Sequence, residues 1–184
     1  MDERSNNNEQ AVWYAIRVTY NREMKVKAEL DELKIRSFVP MQYKAQVRDG
    51  RLVKRLVPSV HNLIFIYISP SGMRHYKETT SLPIRYIMRR EPNGRRTPVI
   101  VPQDQMESFI AVAGTYDEQL VYLSPNPGDF SQGDRVRILG GPFEGTEGIF
   151  VRVKGDRRVV VSIEGVVAVA TTYIHPSLLE KIER

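Results

Sequence analysis

The run GDRVRILGGPFEGTEGIF, residues 133–150, constrains the fold more than any other stretch, because five glycines and a proline interrupt an alternating pattern. Val136 and Ile138 alternate with Arg135 and Arg137, which predicts a strand with one buried face. The Gly-Gly-Pro that follows ends this strand, and the later glycines permit the bends that return GIFVRV alongside it. The run therefore predicts two neighbouring strands joined by a glycine-rich turn.

The same glycines do not fit a nucleotide-binding loop. A phosphate loop of the Walker type needs Lys-Ser or Lys-Thr directly after its last glycine, whereas Gly148 is followed by Ile149 and the next lysine is Lys154. A dinucleotide-binding glycine motif opens a helix, but IFVRV is strand-like. We therefore interpret the run as a turn between strands.

Short β-branched runs occupy the rest of the C-terminal part of the chain. They are VRIL, GIFVRV, RVVVSI and VVAVA, separated by glycine-containing turns, and such close spacing predicts a small β barrel at residues 131–184. The preceding YLSPNPGDFSQGD has two prolines, two glycines and no periodicity, which predicts a linker at residues 117–130.

Residues 11–116 show the pattern of a compact α+β domain. WYAIRV and LIFIYI are predicted strands, and a helix is expected from about residue 22 to residue 33 with Asn21 as its N-cap. Asp49-Gly50 lies between two alternating runs and predicts a hairpin. The predicted order β-α-β-β-β-α-β-α favours a mostly antiparallel sheet with helices.

Composition indicates the compartment. The chain has no cysteine, which excludes disulfides, a thiolate zinc site and a cysteine nucleophile, and suits a reducing cytoplasm. Residues 1–10 are polar and predicted to be a flexible tail, without the apolar segment of a secretory signal. The longest apolar run, residues 63–68, is too short to span a bilayer. We expect a cytoplasmic monomer with no membrane partner.

The sequence does not predict an enzyme. His61, His75 and His175 are scattered, without the paired spacing of metal ligands. No G-x-S-x-G motif or apolar carboxylate pair is present, so no catalytic residue, metal site or cofactor is expected.

Charge is distributed unevenly between the two predicted domains. Residues 1–116 carry 19 Lys+Arg and 12 Asp+Glu, a formal charge of +7, whereas residues 117–184 carry 8 and 10, a charge of −2. The predicted hairpin holds five cations within twelve residues: Lys44, Arg48, Arg51, Lys54 and Arg55. Two interpretations remain open, a nucleic-acid-binding surface and an ordinary solvated face that protects an edge strand.

Two motifs resemble the NusG/Spt5 family of transcription elongation factors. The glycine-rich run is similar to the KOW motif at these positions: Gly133, Val136, Gly140, Pro142, Phe143, Gly145 and Gly148. WYAIRV, the basic hairpin, LIFI, IRYIM and PVIVP before a helix follow the order of a NusG N-terminal (NGN) domain. The resemblance covers about residues 11–184, and among paralogues the chain looks most like UpxY- and RfaH-type specialised antiterminators. It implies an NGN domain at residues 11–116, with an antiparallel sheet flanked by helices, followed by an SH3-like KOW barrel.

One segment departs from the family pattern. PSVHNLIFI, residues 58–66, stands where the family usually has P-L-F-P-G-Y-V-F-V. His61-Asn62 thus replaces a Pro-Gly turn and Leu63 replaces a tyrosine, while Phe65 keeps its place.

The resemblance implies that the NGN domain docks an apolar depression on the clamp helices of the largest RNA polymerase subunit and suppresses pausing. Carried over by motif position, the residues lining this depression are Val60, Leu63, Phe65, Tyr86 and Ile100. Phe65 and Ile100 fit the hydrophobic core equally well. The cationic hairpin is expected to follow upstream DNA, and Arg22 and Lys25 to reach the non-template strand.

The resemblance also implies that the KOW domain recruits a small-subunit ribosomal protein or the termination factor Rho. Phe143, at the predicted loop tip, is the candidate contact, although it is also suited to cap the barrel. The leading expectation is an antiterminator of specific long operons, such as those for polysaccharide biosynthesis. Alternatives are a general housekeeping NusG factor that couples to Rho or the ribosome, and a KOW-containing ribosomal or RNA-binding protein.

Overall fold

The computed structural model describes residues 9–123 and 133–182. Most of the expected tail, residues 1–8, and half of the expected linker, residues 124–130, lie outside the described residues. The elements up to residue 113 are β1 (Val12–Val18), α1 (Glu23–Glu32), β2 (Ser37–Phe38), β3 (Met41–Arg48), β4 (Arg51–Pro58), β5 (Leu63–Ile68), α2 (Pro70–Thr79), β6 (Ile84–Tyr86), β7 (Met88–Arg90), β8 (Arg96–Pro98), β9 (Ile100–Val101) and α3 (Gln103–Ala113).

The N-terminal domain is built on a five-stranded antiparallel sheet. Its strand order is β2-β5-β1-β6, and β9 also pairs with β1. The central strands β1 and β5 are apolar on both faces because helices cover both sides. The prediction of a mostly antiparallel sheet with helices is confirmed.

Each face of this sheet has its own apolar layer. On one face, Tyr14 and Ile16 pack in a cluster with Val26 of α1 and Met73 of α2. On the other face, alternate residues such as Trp13 and Phe65 cluster with α3. Side chains alternate along a strand, so a shift of one residue moves a side chain to the other layer.

Two ribbons extend from the domain as separate two-stranded sheets, β3-β4 and β7-β8. At the tip of the first, Asp49 has φ 51° and Gly50 has φ 73°. Two successive positive φ values are typical of a type I′ turn, for which Asp-Gly is a preferred sequence. The hairpin prediction at Asp49-Gly50 is confirmed.

The start of α1 differs from the prediction. The N-cap position is Arg22, not Asn21, and its side chain makes no capping hydrogen bond. Tyr20 and Asn21 both have left-handed φ, 61° and 51°, and the Asn21 N–H donates to Asn62 Oδ1 at 3.0 Å. Asn21 is therefore committed to a turn beside β5 and is unavailable as the helix cap.

The C-terminal part forms a six-stranded antiparallel sheet of order β10-β14-β13-β12-β11-β15. Its strands are β10 (Val121–Leu123), β11 (Asp134–Ile138), β12 (Glu147–Val153), β13 (Asp156–Ile163), β14 (Val167–Ala170) and β15 (Leu179–Lys181). The strands predicted on both sides of the glycine-rich turn are β11 and β12, which pair as expected. We call this unit the C-terminal sheet; its closure into a KOW barrel stays a prediction.

Position 148 of the glycine-rich run requires glycine for a steric reason. A Cβ atom placed there would lie 2.5 Å from the Val160 carbonyl oxygen of the neighbouring strand. That oxygen is backbone and cannot move aside without disturbing the β12–β13 pairing. Glycine at this position therefore serves close strand approach.

The two parts of the chain pack together. α3 lies against β13 and β14, and a continuous cluster of buried apolar side chains runs from the N-terminal sheet into the C-terminal sheet. None of the helices in the described ranges is long and apolar enough to cross a membrane.

Candidate functional site

The structure separates the five predicted groove residues onto two faces of the sheet. Leu63 and Phe65, with Val60 beside them, belong to the layer that contains α3. Tyr86 packs with the layer of α1 and α2, and Ile100 is paired in register with Tyr14 of that same layer. The five residues therefore do not form one continuous depression in this arrangement.

Two of the three members on the α3 face are covered, and Val60 is half-buried. Leu63 is 3% exposed and Phe65 is fully buried. The Phe65 ring lies 5.7 Å from that of Phe109 in α3, and Phe109 in turn meets Phe38 edge-on at 6.2 Å. Leu63 and Phe65 therefore form core in the described arrangement and present almost no surface to a partner.

The opposite face carries the buried Tyr14 beside the half-buried Tyr86. The Tyr14 and Tyr86 rings lie 5.6 Å apart, and the Lys77 ammonium lies 4.2 Å from the centre of the Tyr86 ring. Burial raises the pKa of both tyrosines, so their hydroxyls keep their protons to higher pH than a free tyrosine does. Ile100, beside Tyr14 in register, is 45% exposed. We call Tyr14, Lys77, Tyr86 and Ile100 the aromatic surface.

The five predicted hairpin cations divide between the two faces of the β3-β4 ribbon. Lys44 is directly opposite Arg55, and Arg48 is opposite Arg51, so these four share one face. Like charges directly opposite each other are unfavourable in an isolated ribbon, which suits an anionic partner. Lys54 lies on the other face, where its Nζ is 2.5 Å from a carboxylate oxygen of Glu118.

Arg22 and Lys25 lie at the start of α1, as predicted, and both are exposed. The Arg22 guanidinium lies 5.6 Å from the centre of the Tyr20 ring, and Tyr20 is 79% exposed. A cation beside an exposed aromatic ring suits unpaired nucleic acid, because every base can stack on such a ring. These residues lie on a different element from the hairpin cations, α1 instead of the β3-β4 ribbon.

Asn62 accounts for the departure at His61-Asn62. It has φ 63°, a conformation that glycine adopts freely and asparagine tolerates better than most residues. Its backbone carbonyl accepts from the Val18 N–H at 3.0 Å, and its side chain accepts from Asn21. Asparagine thus replaces glycine in the turn and also fixes the loop between β1 and α1.

The segment 117–120 joins the two parts of the chain by hydrogen bonds. Gln42 Nε2 of β3 donates to the carbonyl oxygens of Asp117, Glu118 and Leu120 at 3.1, 3.0 and 3.0 Å. Arg158 Nη1 of β13 donates to the carbonyl of Gln119 at 2.7 Å. We call this segment the bridging segment. It continues directly into β10, so residues 117–123, expected to begin the linker, are part of the packed structure.

Phe143 is not the exposed contact that was predicted. It is 2% exposed and belongs to the buried cluster that contains Val136 and Ile138, which agrees with its alternative role as a cap. The exposed apolar residues next to this turn are Leu139 and Leu178, whose backbones are joined by a 2.8 Å hydrogen bond. Motif position identified Phe143 as the residue at the turn, but it does not specify whether that residue is exposed. Its exposure depends on how the turn folds back on the sheet.

Several residues in these surfaces had no distinguishing signal in the sequence. Tyr14 reads as one apolar residue among several in WYAIRV, and Lys77 as one charge on a short helix. Gln42 and Arg158 bind carbonyl oxygens far away in the chain. The tertiary fold, and no local sequence pattern, brings such residues together.

The sequence model of the family described as "Transcription termination factor nusG" matches residues 11–110. This range contains the five-stranded sheet, most of α3, the aromatic surface and the β3-β4 ribbon. No curated protein matches the chain. Because the family match covers more than half of the chain, the chain belongs to the NusG family of transcription factors.

Proposed function

We propose that this chain is a transcription elongation and antitermination factor that binds the clamp helices of the largest RNA polymerase subunit and suppresses pausing or termination. The observation that carries the proposal is the NusG family match over residues 11–110. Members of this family generally bind RNA polymerase. We further propose that it acts on specific long operons, such as those for polysaccharide biosynthesis, in the manner of UpxY- and RfaH-type factors.

Two of the predicted polymerase contacts are accessible in the described arrangement. Tyr86 and Ile100 lie on the aromatic surface. A helix of the partner that docks there would bury their exposed apolar area. Val60, Leu63 and Phe65 lie in the layer that continues into the C-terminal sheet. We propose that their contact with the clamp requires the C-terminal sheet to separate from the N-terminal domain and α3 to move away from Phe65, which its Phe109 covers.

The cationic face of the β3-β4 ribbon is the proposed contact with upstream DNA, and Arg22 and Lys25 the proposed contact with the non-template strand. The support is geometric, since four cations share one ribbon face and Tyr20 offers a stacking surface beside Arg22. Contacts to phosphates position a protein on DNA without reading its sequence. Binding through them weakens steeply with salt.

The C-terminal sheet is the proposed KOW module, recruiting a small-subunit ribosomal protein or Rho. Its buried Phe143 supports the turn from within, so we place the contact at the exposed pair Leu139 and Leu178. A Leu139→Glu variant should then lose this recruitment while still binding polymerase.

Pull-down with core RNA polymerase tests the central proposal. The full chain should retain polymerase, and Tyr86→Ala combined with Ile100→Glu should reduce retention about tenfold or more, the usual effect of removing interface anchors. Tyr173→Glu, which alters an exposed tyrosine of the C-terminal sheet, is the matched control. Equal retention of the double variant and the control would refute the aromatic surface as the contact.

Operon specificity has a separate test. Transcript mapping in a deletion strain should show shortened transcripts from one or a few long operons. Defects across the genome would instead indicate the general housekeeping factor.

A further inference from the structure

The β3-β4 ribbon is exposed along both of its faces. No third strand joins it within the described ranges, and every residue from 43 to 56 is exposed. It carries five of the thirteen large hydrophobic side chains that are exposed in the part of the chain that the structure describes. A two-stranded ribbon alone is at most marginally stable in water, so this concentration of exposed apolar residues calls for a partner.

The strand register places four of the five exposed apolar side chains on one face, and the fifth, Val53, on the cationic face opposite Gln46. Tyr43 is opposite Leu56, and Val47 is opposite Leu52. These pairs share the face that lies behind the cationic pairs, because side chains alternate between faces along each strand. Their exposed fractions are 44, 38, 74 and 72%. We call these four residues the apolar ribbon face.

The one charge on this face is already neutralised. Lys54 lies between the two apolar pairs and forms an ion pair with Glu118 of the bridging segment. The side chain opposite it is Ala45. The face therefore presents alkyl and aromatic groups without a free cation, which makes it a poor surface for nucleic acid.

The size of the face indicates what kind of partner covers it. Its exposed side-chain parts amount to roughly 400 Å², similar to the largest patches on ordinary monomers. Two copies of the chain joined through it would bury about 800 Å² in total, below the roughly 1,200 Å² that stable complexes need. A patch of this size is effective as a second contact to a protein already bound elsewhere, because the tethered contact forms at high effective concentration.

We infer that the apolar ribbon face docks on an uncharged, apolar strip of the polymerase next to the DNA, so that the ribbon lies between enzyme and nucleic acid. This inference rests on the proposed function, since the aromatic surface supplies the first contact with polymerase. The two ribbon faces then have different partners: protein on one side and phosphates on the other. Such a position holds the cationic face against the duplex without any reading of base sequence.

Site-specific photo-crosslinking in a complete elongation complex tests the inference. Leu52 and Arg51 are neighbours in the chain but point to opposite faces. With p-benzoylphenylalanine replacing Leu52, adducts should form with a polymerase polypeptide. With the same group replacing Arg51, adducts should form with DNA.

Other outcomes would overturn the inference in distinguishable ways. Adducts from position 52 with DNA, or with a second copy of this chain, would assign the apolar face to another partner. No adduct from position 52, while the same group at Ile100 crosslinks to polymerase, would refute the inference and leave the proposed function intact. No polymerase adduct from either position would refute both.

Affinity measurements give an independent test. The double variant Val47→Thr, Leu52→Thr removes apolar area from this face, while threonine keeps a high propensity for β-strands. This variant should bind the elongation complex roughly tenfold more weakly with an unchanged salt dependence. Arg48→Gln with Arg51→Gln should instead lower the slope of log affinity against log salt by about 2. Unchanged affinity of the threonine variant, with an unchanged melting temperature, would overturn the inference.

Discussion

Gln42 and Arg158 donate hydrogen bonds to the same four-residue segment, one from the N-terminal domain and the other from the C-terminal sheet. The bridging segment 117–120 thus has its carbonyl groups satisfied by both parts of the chain. Beyond it, β10 completes the edge of the C-terminal sheet beside β14. The relative position of the two parts depends on these few polar contacts together with the apolar cluster along α3.

The first prediction concerns Gln42. Gln42→Ala removes three hydrogen bonds to the bridging segment and should favour separation of the C-terminal sheet. If separation frees α3 to move and expose the layer of Val60, Leu63 and Phe65 to polymerase, the variant should bind core polymerase about fivefold more tightly, as expected when a competing closed state is weakened by about 1 kcal/mol. Gln46→Ala, on the exposed ribbon, is the control. Equal or weaker binding by the Gln42 variant would argue against a required separation.

The second prediction concerns Arg158. This side chain is 8% exposed and donates to the carbonyls of Gln119 and Thr171. Arg158→Met leaves both carbonyls without this donor and should lower the free energy of unfolding by about 2 kcal/mol. Urea denaturation provides the measurement, with the exposed Arg152→Met as the control. A loss no larger than that of the control would contradict the importance of these bonds.

The third prediction compares two glycines of the same turn region. Gly148→Ala places a methyl group 2.5 Å from a backbone oxygen and should destabilise the protein by about 2 kcal/mol or more. At Gly140 the nearest atom to an added Cβ is Leu178 Cδ2 at 3.7 Å, so Gly140→Ala should be tolerated. Thermal denaturation distinguishes them. Similar melting temperatures for both variants would refute the close-approach explanation.

The fourth prediction concerns alkaline pH. Burial raises the pKa of Tyr122 from 10.0 to about 12. An unfolded tyrosine ionises near pH 10 while the folded one keeps its proton, so the stabilisation is complete below pH 10 and is lost as pH rises towards 12. Tyr122→Phe should therefore reduce the fall in unfolding free energy across this interval. Tyr76, whose burial also raises its pKa to about 12, should behave likewise. An unaltered pH profile in both variants would contradict this reasoning.

Local signals in the sequence predicted the structure where the physics is local. Asp49-Gly50 specified its hairpin turn because few residue pairs adopt two positive φ values easily. The glycine-rich run predicted β11 and β12 because alternation and turn residues lie within one stretch. In both cases the deciding contacts involve neighbouring residues.

Properties that depend on distant pairing were not predictable. Whether Leu63 shares a face with Tyr86 depends on the register of β5 and β6 on β1, which no single stretch encodes. Proline and glycine content favoured a linker at residues 117–130. Residues 121–123 nevertheless pair with β14, because the edge of β14 has backbone N–H and C=O groups that need hydrogen-bond partners. The burial of Phe143 was also not predictable, because it depends on the turn packing against Val136 and Ile138 on the buried face of β11.

Single-round transcription on a template with a defined pause and a downstream terminator tests the central claim most directly. The full chain, added to halted elongation complexes, should shorten the pause and increase readthrough, and the Tyr86→Ala, Ile100→Glu variant should lose both effects. Unchanged pausing and termination at saturating concentrations of the full chain, with polymerase binding intact, would contradict the proposed function.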